Sequence, residues 1–544
     1  MKILLSLRRR HYVTIVSILF IVVALIGGIV GCGRGNGVVS YTLSVVSTQG
    51  GTVTAPGEGT YTYQTGAVLN LVAEAEQGYQ FVNWTGHVDT IADPNSAATT
   101  ITMNGNYAIT ASFMAQYGLT VTSTAGGEVS APGEGTFAYG QGTMVNLVAT
   151  PDDCYQFVNW TGDVNTIADI NDATTTVTME GDYDIIANFE EGVVTFGDPN
   201  VETAVRQRIS KPTEPIYPSD LEGLTYLDAS AKNITDLTGL ECCTSLTELR
   251  LWGNQISDIS PLVNLTNLTY LNLDNNQIGD ISPLTNLTNL TDLLLEQNQI
   301  GDVSPLTNLT SLSRLNLIDN QIGDASALAN LTSLTNLYLN KNQIADISPL
   351  ANLTNVTQLW LGSNQVRNIS PLASLTSLQH LVLQMNQVGD ISPLANLTSL
   401  TQLSLDYNEI SNISALADLT GLTLLWLGSN EIGDISSLAN LTSLTWLDLG
   451  FNQIGNISQL ASLTSLTDLS LPDNHISDIS PLINLASLTR LNLTYNQISD
   501  IEPLVNNLGL SAGDSVYLWD NPLSTTSINT YIPQLEARGV TVYY

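Results

Sequence analysis

The sequence predicts a mainly β repeat protein: a solenoid of 22-residue turns with helical caps at both ends, preceded by two small β modules. Three observations carry this expectation. An Asn recurs every 22 residues from Asn254 to Asn496 without a slip, the motifs of segment 41–115 return 76 residues later within segment 116–190, and charged residues are only 12% of the 544-residue chain. A chain of this length exceeds what one core can organise, and self-similarity at a fixed period marks a stacked array. With so little charge, Asn, Thr, Ser and Gln must supply the solvated surface, which suits a folded repeat protein better than a disordered one.

The first element, residues 1–31, reads as an export leader. A basic start (MKILLSLRRRH) precedes a long apolar run that ends in small residues and a cysteine. Ile29-Val30-Gly31-Cys32 resembles the lipobox of bacterial lipoproteins. That resemblance implies lipidation of Cys32, anchorage to a membrane and a position outside the cytoplasm, with Gly33, Gly35 and Gly37 giving a flexible tether over 32–40. An uncleaved membrane helix is the alternative reading of the same run.

The duplicated segments follow. GGTVTAPGEGT (50–60) returns as GGEVSAPGEGT (126–136), and YQFVNWTG (79–86) returns unchanged at 155–162. Alternating stretches such as YTLSVVS between Gly, Pro and Asn turns read as short strands. The two copies resemble the divergent internalin B-repeat family, which implies spacer modules on a bacterial surface. One large aromatic per small module, Trp84 and Trp160, reads as its core rather than as a ligand platform. Both modules are expected to be self-contained.

From residue 246 each turn carries L-x-x-L-x-L-x-x-N, as in LTYLNLDNN (268–276), with Val356 replacing one Leu. This is the leucine-rich-repeat signature, with Leu alternating inward and Asn bonding the backbone of neighbouring turns. The rest of each repeat (QIGDISPLTNLTN) is too short and too Pro-bearing for an α-helix, so a convex 3₁₀-like turn is expected. Asp258, Asp280, Asp302 and their equivalents should cap that turn. A Ca²⁺ column is the competing reading, but Asn368, Asn412 and Asn456 interrupt it. The N-x-I-x-D-I-x-P-L pattern resembles the internalin type. Segment 191–223, with FGDPNVETAVRQRISKP, looks like a linker and helical N-terminal cap, 224–509 is the solenoid, and 510–544, with INTYIPQLEARG, is the C-terminal cap.

Catalytic chemistry finds little footing. His87, His380 and His475 stand on separate elements, so neither a metal site nor a cofactor is expected. Gly509-Leu510-Ser511-Ala512-Gly513 matches G-x-S-x-G, yet a strand follows it where a nucleophile elbow needs a helix, and no His comes after 475. The chain reads as a non-enzyme. Of 15 cations, Lys2, Arg8, Arg9 and Arg10 lie in the leader, and none occurs from Gly35 to Val205, against a net charge of −35. Such a surface cannot neutralise phosphates, which excludes nucleic acid. Cys154, Cys242 and Cys243 suggest no disulfide framework by their spacing, and Cys243 stands where other repeats place a core Leu.

The aromatics point to a function. Between Ile234 and Leu523 all eleven occupy outward positions of the strands or of the two residues after them. Trp252, Tyr270, Tyr338, Trp360, Tyr407, Trp426, Trp446, Phe451 and Tyr495 are therefore the candidate ligand-binding residues, exposed on a concave face about 55–60 Å long. By resemblance to internalins the expected partner is a protein, bound by a monomeric adhesion or interaction molecule. A glycan, or no specific ligand at all, are the alternatives.

Overall fold

A computed structural model describes residues 39–544. Cys32, its leader and most of the tether lie outside the described residues. Among the described residues no helix is long and apolar enough to cross a membrane. The chain separates into two compact units, one running to Leu119 with Thr136–Met144 and Thr178–Tyr183, the other holding the remainder.

In the first copy the strands Gly51–Ala55, Val68–Ala75 and Ala98–Thr102 form an antiparallel sheet. Ser40–Ser47, Gly59–Gln64, Tyr79–Gly86 and the long strand Tyr107–Ser123 form the second. Leu43, Leu71, Ile101 and Met103 fill the space between them around Trp84, whose Nε1 donates to the Ser96 carbonyl at 3.0 Å. Trp160 repeats this in the second copy, donating to the Asp172 carbonyl at 2.9 Å. Both indoles are core, each packed against a Phe, Phe81 at 5.8 Å and Phe157 at 5.5 Å between ring centroids.

The solenoid is one parallel sheet of 15 strands, from Tyr226–Asp228 to Thr541–Tyr543. Register is exact in the 22-residue period: Leu271 faces Leu249 and Leu293 on its two neighbours. Behind the strands Leu and Ile columns are fully buried. The Asn ladder closes the bend as expected. Asn276 Nδ2 donates to the carbonyls of Leu251 and Leu273, both at 3.0 Å, and its Oδ1 accepts from Ile256 N at 3.1 Å. Buried backbone groups that helix or sheet would satisfy elsewhere are satisfied here by one amide per turn. The convex side is built of 3₁₀ turns such as Ser260–Leu262 and Ser304–Asn308. Asp280 Oδ1 accepts from Ser282 N at 2.8 Å, and Asn368 does the same for Ser370 at 3.0 Å, so either residue turns the chain.

Helix Pro199–Ile209 caps the first turn, its Asp198 accepting from Asn200 N at 2.8 Å. At the far end Ile532–Ala537 and the final strand cover the last Leu layer, and Arg538 donates to the carbonyls of Leu504, Val505 and Asn507. One expectation is overturned. Cys154 of the second module and Cys242 of the first solenoid turns form a disulfide across 88 residues, and Cys154 packs against the solenoid core. Asn264 Nδ2 donates to Asp153 Oδ2 at 2.8 Å beside it. The spacing of the cysteines in the chain could not reveal a pair that only tertiary docking brings to a Cα separation of 5.8 Å. The second module is therefore not self-contained. Cys243 is buried, and burial pushes its thiol up to about 12, as fits a small core residue.

Candidate functional site on the concave face

Each three-residue strand sends its central Leu inward and the residues on either side out of the sheet, so one repeat offers two side chains and the following turn offers two more. Tyr270, Trp360, Trp426 and Trp446 stand on the strands themselves, partly buried by their neighbours. Trp252 lies in the turn after its strand and is exposed. Tyr407, Phe451 and Tyr495 occupy the residue just before the ladder Asn, at φ of 56°, 56° and 53°. A left-handed backbone costs a residue with a side chain about 1–2 kcal/mol, yet these rings are 58%, 54% and 58% exposed. They stand on alternate turns along one edge of the concavity, with Ser429 and Asp473 at the same position between them.

Tyr338 departs from the expected exposure, at only 9%. Its ring lies against Trp360 with centroids 4.7 Å apart. Its hydroxyl accepts from Asn336 Nδ2 at 3.0 Å and donates to Gln358 Oε1 at 2.8 Å. Period alone marks it outward-facing but carries no knowledge that the next repeat supplies an indole to cover it.

Trp360 and Trp426 are separated by two strands whose outward residues, Val382 and Ser404, are small. The result is a hollow of about 220 Å³ walled by the two indoles and edged by His380, Gln384, Gln402 and Asp406. Asp406 Oδ1 accepts from Gly428 N at 2.9 Å, and Ser404 Oγ donates within 3.1 Å of both Asp406 Oδ2 and Gln384 Oε1. Burial raises the Asp406 carboxyl to about 6, with the nearby Asp448 charge adding to it and the two hydrogen bonds opposing. Asp274, three strands before the Tyr338 strand, is pushed to about 6 mainly by burial as well. Beyond Trp426, the Trp446 ring lies 6.4 Å away. A second hollow of about 380 Å³ follows, lined by Trp446, Asp468, Arg490, Tyr517 and Trp519.

Sequence reading therefore finds both indole walls of the first hollow and one wall, Trp446, of the second, and misses the polar residues between them. Asp406, His380, Gln384 and Gln402 are polar residues at outward positions, and nothing in their type sets them apart until the indoles flank them. Tyr517 and Trp519, outward aromatics not among the nine candidates, also line the second hollow. Trp252 and Tyr270 lie four or more strands before Trp360, roughly 20 Å at ordinary strand spacing, and share neither hollow. Ser511 lies in a turn with its amide donating to Asp514 Oδ2 at 2.7 Å, and a strand follows at Ser515–Tyr517. Among the described residues no three His, Cys, Asp or Glu are grouped as a metal would need.

Comparison with known proteins supports this architecture. Residues 41–116 and 117–193 each match the divergent InlB B-repeat domain. Leucine-rich-repeat models match at 222–286, 332–374, 376–418, 420–462 and 464–506, and a further one at 308–329. An internalin of Listeria monocytogenes is 41% identical over 59% of this chain and 95% of its own length, with a TM-score of 0.58. A leucine-rich-repeat protein of Leptospira interrogans, 21% identical over 60% of this chain and 97% of its own, shares the fold with a TM-score of 0.53. No curated protein sequence matches. The chain belongs to the internalin-type leucine-rich-repeat proteins and carries two divergent InlB B-repeat domains ahead of its solenoid.

Proposed function

We propose that the chain is a cell-surface binding protein that holds a protein ligand on the concave face of its solenoid and performs no catalysis. One observation carries this reading: two aromatic-walled hollows and a row of exposed rings lie on the same face of a solenoid whose core is already filled by Leu and Ile. Aromatics on one surface that packing does not require are the ordinary mark of an interface. Anchorage is assigned to lipid on Cys32, which keeps the face outside the cytoplasm; Cys32→Ala should abolish lipid labelling, and unchanged labelling would reject it.

The test begins with a panel of proteins and glycans probed with residues 33–544 made under oxidising conditions. Binding that is lost when the target is treated with protease supports a protein ligand; loss on glycosidase treatment instead hands the face to a glycan. Trp360→Ala with Trp426→Ala should then weaken binding by about thirtyfold or more, since truncating even one anchoring aromatic costs about 2 kcal/mol or more. The convex pair Thr285→Ala with Thr307→Ala should leave it unchanged. If the double Trp variant binds like its parent, the concave assignment is wrong.

A further inference from the structure

Four aromatic rings on the strand face, Tyr226, Tyr270, Tyr338 and Trp446, already have a cation from the chain itself. Arg250 lies 5.8 Å from the Tyr226 ring centroid and 5.2 Å from that of Tyr270, and is held by Glu248 at 2.6 Å. Arg490 lies 5.5 Å from the Trp446 ring and 3.1 Å from Asp468. Arg314 lies 5.9 Å from the Tyr338 ring. Ring, acid and guanidinium thus meet twice on this face, at Arg250 and at Arg490, and the cation over each of these rings is Arg, while Lys341 sits apart against Asp319. Trp360 and Trp426 have part of this arrangement. They have the acid, Asp406, and they have the rings, but among the described residues no cation lies over either indole or pairs with that carboxylate.

We propose that the hollow between Trp360 and Trp426 is a socket for an arginine side chain of the protein partner, whose guanidinium lies on an indole and pairs with Asp406. The inference rests on the concave face being the protein-binding surface and names what that surface recognises. Three facts favour it. At about 220 Å³ the hollow is below the roughly 300 Å³ at which small-molecule sites begin, so it suits one side chain. A planar guanidinium can stack on an aromatic face and bond a carboxylate through two N–H groups, which ammonium cannot. The chain's charge of −35 also favours a cationic guest over a neutral or acidic one.

The test uses the chain labelled with ¹⁵N at tryptophan, whose indole N–H signals report each ring separately. N-acetyl-arginine methylamide should move the Trp360 and Trp426 signals in the millimolar range and leave Trp252 in place. The citrulline analogue, neutral and nearly isosteric, should bind about tenfold more weakly or not at all. Asp406→Asn should lower the arginine affinity by about tenfold and bring the two probes together. The variant is expected to fold, because Asn340 occupies the equivalent position three repeats earlier and accepts from Gly362 N at 2.8 Å just as Asp406 does from Gly428. Equal binding of arginine and citrulline by the parent chain would overturn the proposal even if the variant failed to fold. So would movement of the two signals by cellotriose but not by arginine. If arginine fails while the double Trp variant still loses its protein ligand, the face stands and the socket falls.

Discussion

The B-repeat copies and the solenoid use tryptophan in opposite ways. In the copies Trp84 and Trp160 are almost wholly buried and hydrogen-bonded to backbone carbonyls, whereas in the solenoid no Trp occupies a core position. The reason is the amount of core each region can build. A module of short strands gathers few apolar side chains, so one indole must close it, while each 22-residue turn supplies enough Leu and Ile to fill its own layer. The same residue type is therefore structural where the core is scarce and free for binding where it is saturated.

Truncating the two kinds of indole is the strongest way to break this contrast. Trp84→Ala should cost its module about 3–5 kcal/mol, which is comparable to the whole stability of a small domain. Loss of near-ultraviolet dichroism and rapid proteolysis between residues 41 and 115 would report it. Trp360→Ala with Trp426→Ala should leave the thermal midpoint of the solenoid within about 4 °C of the parent. A protease-resistant Trp84 variant, or a collapsed solenoid in the double variant, would erase the distinction.

A smaller effect concerns the junction. Cys154→Ser with Cys242→Ser reopens a loop of 88 residues, for which the usual loss is about 2–4 kcal/mol. Calorimetry should show the second copy and the first solenoid turns separating into a lower-melting transition. An unchanged melting profile would mean that packing alone, including the Asn264–Asp153 bond, holds the junction.

What sequence could tell follows from the range of the interactions. The Asn ladder, the Leu layers and the convex turns are set by contacts within one repeat or between adjacent ones, and a period of 22 states such contacts directly. The buried Trp84 and Trp160 are equally legible, because each is the single Trp of its module. Cys154 and Cys242 were not, since their meeting depends on how the second copy packs on the cap. Tyr338 and Asp406 fall between these cases. Their outward direction is readable, but the environment of each is decided by whichever side chains happen to flank it from neighbouring repeats.

The smallest expected effect separates the convex carboxylates from Asp406 on the concave face. On the convex side Asp280, Asp346, Asp390 and Asp478 are held below the usual range by hydrogen bonds from the Ser two residues on. Such groups stabilise the fold above the unfolded carboxyl value, and that contribution is lost as pH falls through their folded values. Asp406 works in the reverse sense. Burial raises it from 3.8 to about 6, with Asp448 repelling its charge, the His380 ring also lining the hollow, and hydrogen bonds from Gly428 and Ser404 only partly offsetting the cost. The folded chain therefore binds this proton more tightly than the unfolded chain. Its contribution is full below 3.8 and is lost as pH rises through about 6. Asp406→Asn removes that loss while keeping the acceptor for Gly428, so the variant should gain stability relative to the parent at pH 7, on the order of 1 kcal/mol after screening. The difference should shrink towards zero by pH 3.5. Denaturant midpoints measured at both pH values decide it: a gain that is the same at pH 3.5 and pH 7 would show that Asp406 is not the group being titrated.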